Sequence, residues 1–447
     1  MLKYISLILL LSFSLRADEG LTVVAIGEAE AEKDKIIFVA SQVPSNATAA
    51  DKALFNEIQA LFQNDFSFYR QKFEVVNPAG YEALTASKNY SGLAARGVRY
   101  FVLTSFEKSS NSTINLDAQL FDVRDKQRLE QVRVSFSAKD IRQRGHEAAD
   151  VIYQKLSGQT SIFRSRIIFV SDKNSRGGGN DVKELYVMDF DGRNRRQLTF
   201  HKGTVISPAF SFDGKKVLYS LITNSRSKKR NVNLRILDIE TGKSRTISKK
   251  KGINSGAVFM PDGEHITLTM SHEGNAELYA LNLKSGRTRR MTKHFAPDVD
   301  PSINVSGSKM AFLSGRSGAG KPMIYVADPR SLEKDVKRIS YVGKFNATPR
   351  FSPDGSQIAF SSWVDNRFDI FRLDENGENL HRLTKDFGSN EDPTYSNDGQ
   401  FIAFSSQRVL SRSKAVQNIY IMTSEGEVLG EVTKNFGNCS TPRWSKY

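Results

Sequence analysis

From about residue 165 onward, apolar positions alternate with small or polar ones in short runs, the period-2 pattern of half-buried strands. One unit shows it clearly. It reads Thr348-Pro-Arg-Phe-Ser-Pro-Asp-Gly355 and continues Ser-Gln-Ile-Ala-Phe-Ser-Ser362. An Asp-Gly pair between two apolar runs predicts a hairpin, and a type I′ turn is the expected geometry, because glycine supplies the positive φ it needs. Pro349 reads as the start of a strand, where a sheet tolerates a missing N–H.

The unit recurs as Pro208-Ala-Phe-Ser-Phe-Asp-Gly214, Ala257-Val-Phe-Met-Pro-Asp-Gly263, Pro301-Ser-Ile-Asn-Val-Ser-Gly307 and Pro393-Thr-Tyr-Ser-Asn-Asp-Gly399. From glycine to glycine, with Gly355 in its place, the steps are 49, 44, 48 and 44 residues. A repeat of that length built of short strands predicts a β-propeller. Each full repeat holds four strand-sized pieces; in the fourth these are Ala347 to Phe351, Gln357 to Ser361, Phe368 to Leu373 and Leu380 to Leu383.

The two ends of the repeat region complement each other. Arg166 to Ser171, Leu185 to Asp189 and Arg196 to Thr199 read as the last three strands of a blade that lacks its first. Thr441 to Ser445 reads as a first strand with nothing after it. Pairing the two completes a composite blade, closes a ring of six and hides two exposed edges.

Residues 18–160 lack the repeat and read as a small α/β domain, with the propeller at 161–447. Ala50, Leu54, Ile58, Leu61 and Phe62 recur at helical spacing, and Thr48 with Asp51 predicts a capping box. Strand-like runs follow at Phe73 to Val76, Val98 to Phe106, Thr113 to Val123 and Arg128 to Phe136, after earlier ones at Thr22 to Ile26 and Ile36 to Val39. A second helix is expected from Ser137, with Ser-Ala-Lys-Asp140 as its capping pattern and Gly158 as its stop. The fold class is thus an α/β N-terminal domain followed by an all-β six-bladed propeller closed by its C-terminal strand.

Residues 1–17 carry Lys3, an apolar run from Tyr4 to Leu15 and a small residue at Ala17, the pattern of a signal peptide. Its removal takes Lys3 and Arg16, lowering the formal charge from +15 to +13. The run is too short to span a bilayer, and no later stretch reaches the ~20 apolar residues required. The basic balance fits an anionic neighbour, but the charges gather in loops such as Lys228-Lys-Arg230 and Lys249-Lys-Lys251, so a solvated surface is the preferred reading, and export argues against nucleic acid. One cysteine, Cys439, rules out an intramolecular disulfide and a cysteine-based zinc site.

Motifs that carry chemistry are weak. Gly315-Arg-Ser-Gly-Ala-Gly320-Lys321 spells a phosphate loop, but Pro322 stands where Ser or Thr must hold Mg²⁺. Asp189-Phe-Asp191-Gly192 and Asp374-Glu-Asn376-Gly377 lack the later glycine and glutamate of a calcium loop. The six histidines show no H-E-x-x-H spacing, there is no G-x-S-x-G elbow, and His146 reads as a packing or surface residue. No catalytic residue, metal ligand or cofactor-binding residue is assigned. A binding protein is favoured over an exported peptidase or glycan-acting hydrolase.

The junction Gly145-His146, Asp150, Lys155-Leu-Ser-Gly158 and Phe163-Arg-Ser-Arg-Ile167, together with the truncated Pro442-Arg-Trp-Ser445, resembles the TolB family, the periplasmic propeller component of the Tol-Pal system. The likeness spans nearly all of 18–447. It implies a periplasmic, non-enzymatic adaptor without cofactors, monomeric outside its complexes, serving outer-membrane integrity and cell division. Its implied partners are the peptidoglycan-associated lipoprotein Pal, TolA and other outer-membrane proteins. By position in the family, Pal is expected at the propeller mouth, over Asn254, Ser255, Asp300, Thr348, Asp392 and Thr441, in loops entering the first strands. TolA is expected on an N-terminal arm that includes Leu21, Thr22, Val23 and Val24. Ile253 departs from the family, which often carries a histidine there.

Overall fold

The computed structural model describes residues 33–42, 47–108, 113–175, 182–222, 231–318, 321–331, 333–411 and 414–446. The expected signal peptide, the strand at Thr22 to Ile26 and the arm residues Leu21 to Val24 lie outside these.

The α/β region is a five-stranded sheet with helices on both faces. Its strands are β1 (Asp34–Gln42), β2 (Phe73–Val76), β3 (Val98–Lys108), β4 (Ile114–Asp122) and β5 (Gln127–Phe136), ordered β2-β1-β3-β4-β5. β1 runs parallel to β2 and β3, and the β3-β4-β5 meander is antiparallel. Helix α1 (Ala49–Phe68) starts as expected. Thr48 Oγ1 accepts from Asp51 N, and the Asp51 carboxylate accepts from Thr48 N, closing the capping box. The last long helix is α4 (Ile141–Ser157), which ends on Gly158 at φ 68°. Its expected capping pattern works differently: Asp140 Oδ1 accepts from Ser137 N and Oγ, forming a turn ahead of the helix while the helix's own N–H groups get no side-chain cap. Two short helices, α2 (Glu82–Ala86) and α3 (Tyr90–Ala95), were not foreseen; each is under two turns, too short to show a period. They cover one face of the sheet through Leu93, Phe101 and Phe121, and α1 and α4 cover the other through Phe38, Ile58 and Ile152.

Six four-stranded antiparallel sheets make the propeller. Five are continuous in sequence, at 204–248, 254–290, 298–338, 346–382 and 389–431. The sixth is composite: the strand Cys439–Trp444 pairs with β6 (Arg166–Ser171), followed outward by β7 (Glu184–Asp189) and β8 (Arg196–Gln197). The ring closes by this seam.

The recurring Ser-x-Asp-Gly has a local cause. In the fourth blade the Ser352 hydroxyl bonds Asp354 Oδ1 and accepts from Gln357 N at 3.0 Å, and Asp354 Oδ1 accepts from Ser356 N at 3.1 Å. The same set recurs at Ser211/Asp213 and Ser396/Asp398. Only glycine carries positive φ here (Gly355, 79°), with Gly355 N bonded to Ser352 O at 2.9 Å. The turn is therefore type I followed by a left-handed glycine, not type I′. In this copy Pro353 by itself excludes type I′, since its ring fixes φ near −65°, while Phe212 and Asn397 hold the same place without positive φ, where the Ser–Asp hydrogen bonds are shared.

The α/β region and the propeller share one apolar core. From the end of α1, Phe66, Phe68 and Tyr69 pack with Tyr153 of α4, Phe163 of the connection, and Phe190 and Phe401 of two blades. Tyr69 Oη donates to Asp398 Oδ2 at 2.7 Å and accepts from Ile162 N at 2.9 Å. All these propeller contacts involve turns at one end of the ring. The α/β region therefore covers that end, and the end where the inner strands begin stays free of it.

Candidate partner-binding site

Each inner strand carries one residue in left-handed backbone: Ser207, Gly256, Asp300, Thr348, Asp392 and Thr441, with φ between 50° and 61°. At each of the six the ladder slips register, so the position is a β-bulge repeated around the ring. Proline follows five of them and alanine, Ala257, the sixth. A bulge leaves an N–H without a ladder partner, and that is where proline costs least. Pro349 thus lies inside its strand, which begins three residues earlier at Asn346.

All six bulge residues line one cavity of about 380 Å³ on the channel axis. Val232, Ile253 and Ser255 also line it, which places it toward the end away from the α/β region. Of the sequence-expected mouth residues, the structure brings Ser255, Asp300, Thr348, Asp392 and Thr441 together. They sit within the inner strands, not in loops ahead of them.

Asn254 is placed differently, buried and off the cavity wall. Its Nδ2 donates to Val232 O and Lys250 O at 2.9 and 2.7 Å, and its Oδ1 accepts from Ser248 Oγ at 2.6 Å. Asn346 and Asn390 occupy the same first-strand position and are likewise buried and internally bonded. At Asn254 and Asn390 this position latches an inner strand to the preceding blade, whereas Asn346 bonds Val342 O of the entering loop and Ser362 of its own blade.

Two charged residues escaped the sequence reading. Arg350 and Arg443 follow the bulges at Thr348 and Thr441 in matching Thr-Pro-Arg triplets, a repeat-specific signal visible in the chain. Arg350 Nη2 donates to Asp300 Oδ1 at 3.0 Å, joining two neighbouring inner strands. Burial, reinforced by Arg350, lowers the Arg443 pKa to about 10, with Asp392 and Asp300 opposing. Burial likewise raises the Asp392 carboxyl, and burial plus Asp392 pushes Glu391 up to about 7. The mouth is thus a ring of strained backbone around closely spaced charges of both signs.

A second polar cluster lies where α4 meets the composite blade. Arg142 donates from Nε to Asp189 at 3.2 Å and from Nη2 to Asp191 at 2.7 Å, and His146 Nδ1 meets Asp65 Oδ2 at 2.8 Å. His146, Asp189 and Asp191 bring possible metal-ligand atoms within 4.8 Å of one another, but the Arg142 guanidinium already supplies the cation there. His146, read as packing or surface, is a buried histidine of this junction.

The family model described as the TolB β-propeller domain matches residues 153–447. The chain belongs to the TolB family. A relative named Protein TolB homolog, from Chlorobium chlorochromatii, is 31% identical over 228 residues, 51% of this chain and 49% of the relative. A Tol-Pal system protein TolB from Francisella tularensis subsp. mediasiatica is 27% identical over 265 residues, covering 58% of this chain and 59% of the relative. The chain therefore spans about half to three-fifths of the length of these relatives in sequence. In structure, the likeness to TolB from Acinetobacter baumannii covers 93% of this chain and 97% of that one, with TM-score 0.74 and 26% identity. Among the described residues, no helix is long and apolar enough to cross a membrane.

Proposed function

We propose that the protein is the periplasmic adaptor of a Tol-Pal system, binding the peptidoglycan-associated lipoprotein Pal over the propeller mouth. The observation that carries this is the asymmetry of the ring. One end is covered by the α/β region, and the other presents six bulges around a cavity. A partner seated there meets Ser255, Asp300, Thr348, Asp392 and Thr441 on a rigid scaffold, the arrangement in which preorganised polar groups cost least to use. Asn254 serves by fixing the strand that carries Ser255.

The second contact in this reading is TolA, held by the N-terminal arm containing Leu21, Thr22, Val23 and Val24. The described chain begins at Lys33, on the wall of a groove of about 630 Å³ between the α/β region and the fifth blade. Lys33 thus lies at the α/β end of the molecule, remote from the mouth. A single adaptor can then hold both partners without overlap, supporting outer-membrane integrity and cell division.

Calorimetry with purified lipoprotein and the TolA C-terminal domain tests both contacts. Asp300→Arg and Ile253→Glu are each expected to weaken lipoprotein binding at least tenfold while TolA binding persists. Deleting residues 18–25 is expected to do the reverse. Absence of lipoprotein binding at high micromolar concentration sinks the partner assignment.

A further inference from the structure

We infer, resting on the lipoprotein contact proposed above, that the lipoprotein seats off the channel axis through an acidic face with an apolar centre. It meets an arc of exposed apolar side chains and lysines on four consecutive blade-to-blade loops. Each such loop joins the outer strand of one blade to the inner strand of the next. Inner strands start at the end free of the α/β region, so all six loops lie on the mouth side: 198–203, 249–253, 291–297, 339–345, 383–388 and 432–438.

Four of these loops are held down by an aromatic ring on the blade they enter. His201 stacks on Tyr219 and Phe345 on Trp363, while Phe387 packs edge-on against Tyr420 and Phe436 against Tyr186. Beyond these, four loops in succession each leave one apolar side chain in water: Phe200 at 73% exposure, Ile253 at 39%, Phe295 at 83% and Tyr341 at 72%. The remaining two loops, on either side of the fifth blade, leave none. Ile253 also lines the axial cavity, which joins the arc to the mouth.

Phe295 departs from its own repeat. Thr292-Lys-His-Phe295 recurs as Thr384-Lys-Asp-Phe387 and Thr433-Lys-Asn-Phe436. In all three the threonine hydroxyl accepts a backbone N–H, from Leu278, Ile370 and Ile419, so the loops leave their blades alike. Glycine follows the phenylalanine in the other two copies, at φ 99° for Gly388 and 85° for Gly437. A Cβ there would come 2.6 Å from Gln407 O and 2.8 Å from Asp172 Oδ1. Ala296 holds that place after Phe295, without positive φ. The tucked seat goes with a glycine that can take left-handed backbone; with alanine there, the ring stands out.

The charge is one-sided as well. The same four loops hold Lys202, Lys249, Lys250, Lys251, Lys293 and Lys344, all exposed, and no Asp or Glu. Carboxylates that adjoin them are engaged: Asp298 and Glu333 by Arg316, and Glu273 by Arg290. Aromatic anchors interleaved with lysines suit a protein face that is apolar at its centre and acidic around it. The rings hold such a complex once desolvated, and the charges steer its approach. The arc borders a cavity that a folded partner can enter and a flat bilayer cannot. Its position displaces the contact away from the fifth blade.

Calorimetry with the purified lipoprotein, lacking its acyl chains, tests this. Phe295→Ala with Tyr341→Ala is expected to weaken binding at least tenfold. Lys293→Glu with Lys344→Glu is expected to weaken it several-fold, and wild-type affinity to fall as salt rises. Lys385→Ala with Lys434→Ala, on the two loops outside the arc, is expected to change it less than twofold. All these side chains are exposed, and circular dichroism melts confirm that the variants fold. An aromatic double variant that binds as the wild type does, while Asp300→Arg still weakens binding, overturns the arc and leaves the lipoprotein contact standing. Equal losses from the aromatic pair and from Lys385→Ala with Lys434→Ala overturn the off-axis seat. A wild type that does not bind the lipoprotein overturns that contact and the arc with it.

Discussion

The indole N–H of Trp444 donates to Ser165 Oγ at 2.7 Å, joining residues 279 positions apart. Trp444 lies in the last strand, and Ser165 immediately precedes β6. The bond therefore sits on the seam that closes the ring, backed by Ser445 N to Arg166 O at 2.8 Å. Trp444→Ala removes the bond and a large buried ring together and is expected to cost about 3–5 kcal/mol. Urea unfolding monitored by circular dichroism measures this, and a loss under 1 kcal/mol contradicts the importance of the seam.

Cys439 begins the same strand and is fully buried, and burial raises its thiol pKa. Both effects slow alkylation, because the thiolate is the nucleophile. Native protein is expected to resist a maleimide for hours, and Trp444→Ala to react markedly faster, which makes labelling a direct reading of seam opening. Rapid labelling of the wild type contradicts this.

Arg142 holds the two regions together electrostatically. Arg142→Ala leaves Asp189 and Asp191 without their shared cation in a part-buried junction, and the expected cost is about 3–5 kcal/mol. Limited proteolysis across 158–165 is expected to speed up in the variant, because this connection runs through the shared core. An unchanged cleavage rate argues for a weaker junction.

Several titrating groups predict one pH trend. Burial, with Asp191 adding, raises Asp65 from 3.8 to about 6, although His146 and Arg142 oppose it. Ionised Asp65 therefore costs the native state, so its contribution declines as pH rises through the interval from about 4 to 6. For His146, burial works against the charged form, but Asp65 outweighs it and the pKa is raised. Its contribution is complete below the ordinary 6.5 and is lost as pH climbs through the native value. Glu391, raised to about 7, acts in the same direction as Asp65. Melting temperature is expected to rise from pH 8 to about pH 5.5, and His146→Gln with Glu391→Gln to flatten the trend. A wild-type melt that drops over this window refutes the assignment. At lower pH, carboxylates held down by hydrogen bonds, such as Asp51 and Asp213, reverse the slope.

Thr441 is β-branched, left-handed at φ 50°, and its Oγ1 is buried without a partner. The conformation costs about 1–2 kcal/mol for a non-glycine residue, and glycine's extra unfolded freedom returns about 0.5–1. Thr441→Gly is expected to stabilise the protein by roughly the difference, about 0.5–1 kcal/mol, while weakening lipoprotein binding if the proposed mouth contact holds. Thermal melts and calorimetry together separate strain kept for binding from strain without use.

The architecture was legible because the repeat states it several times. Ser211, Ser352 and Ser396 each precede an Asp-Gly, and the same hydrogen bonds explain all three. The composite blade followed from two incomplete sets of strands that needed each other. Helix α1 announced itself through Thr48 and Asp51, whereas α2 and α3 have too few residues for periodicity to appear. The bulge ring was only half visible. The Pro after Ser207, Asp300, Thr348, Asp392 and Thr441 marks the position, but the left-handed backbone goes with a register slip between first and second strands, and the register of a ladder is not written in either strand alone. Asn254 shows the converse, as a polar residue near a mouth whose bonds all turn inward.

The seam also sets an order of events during synthesis. Strands β6, β7 and β8 leave a ribosome early, yet their inner partner, Cys439–Trp444, follows some 240 residues after β8. Until it arrives, β6 is an open edge and Phe169 lacks part of its cover. The ring cannot be finished blade by blade, and its final step depends on the last strand finding the first.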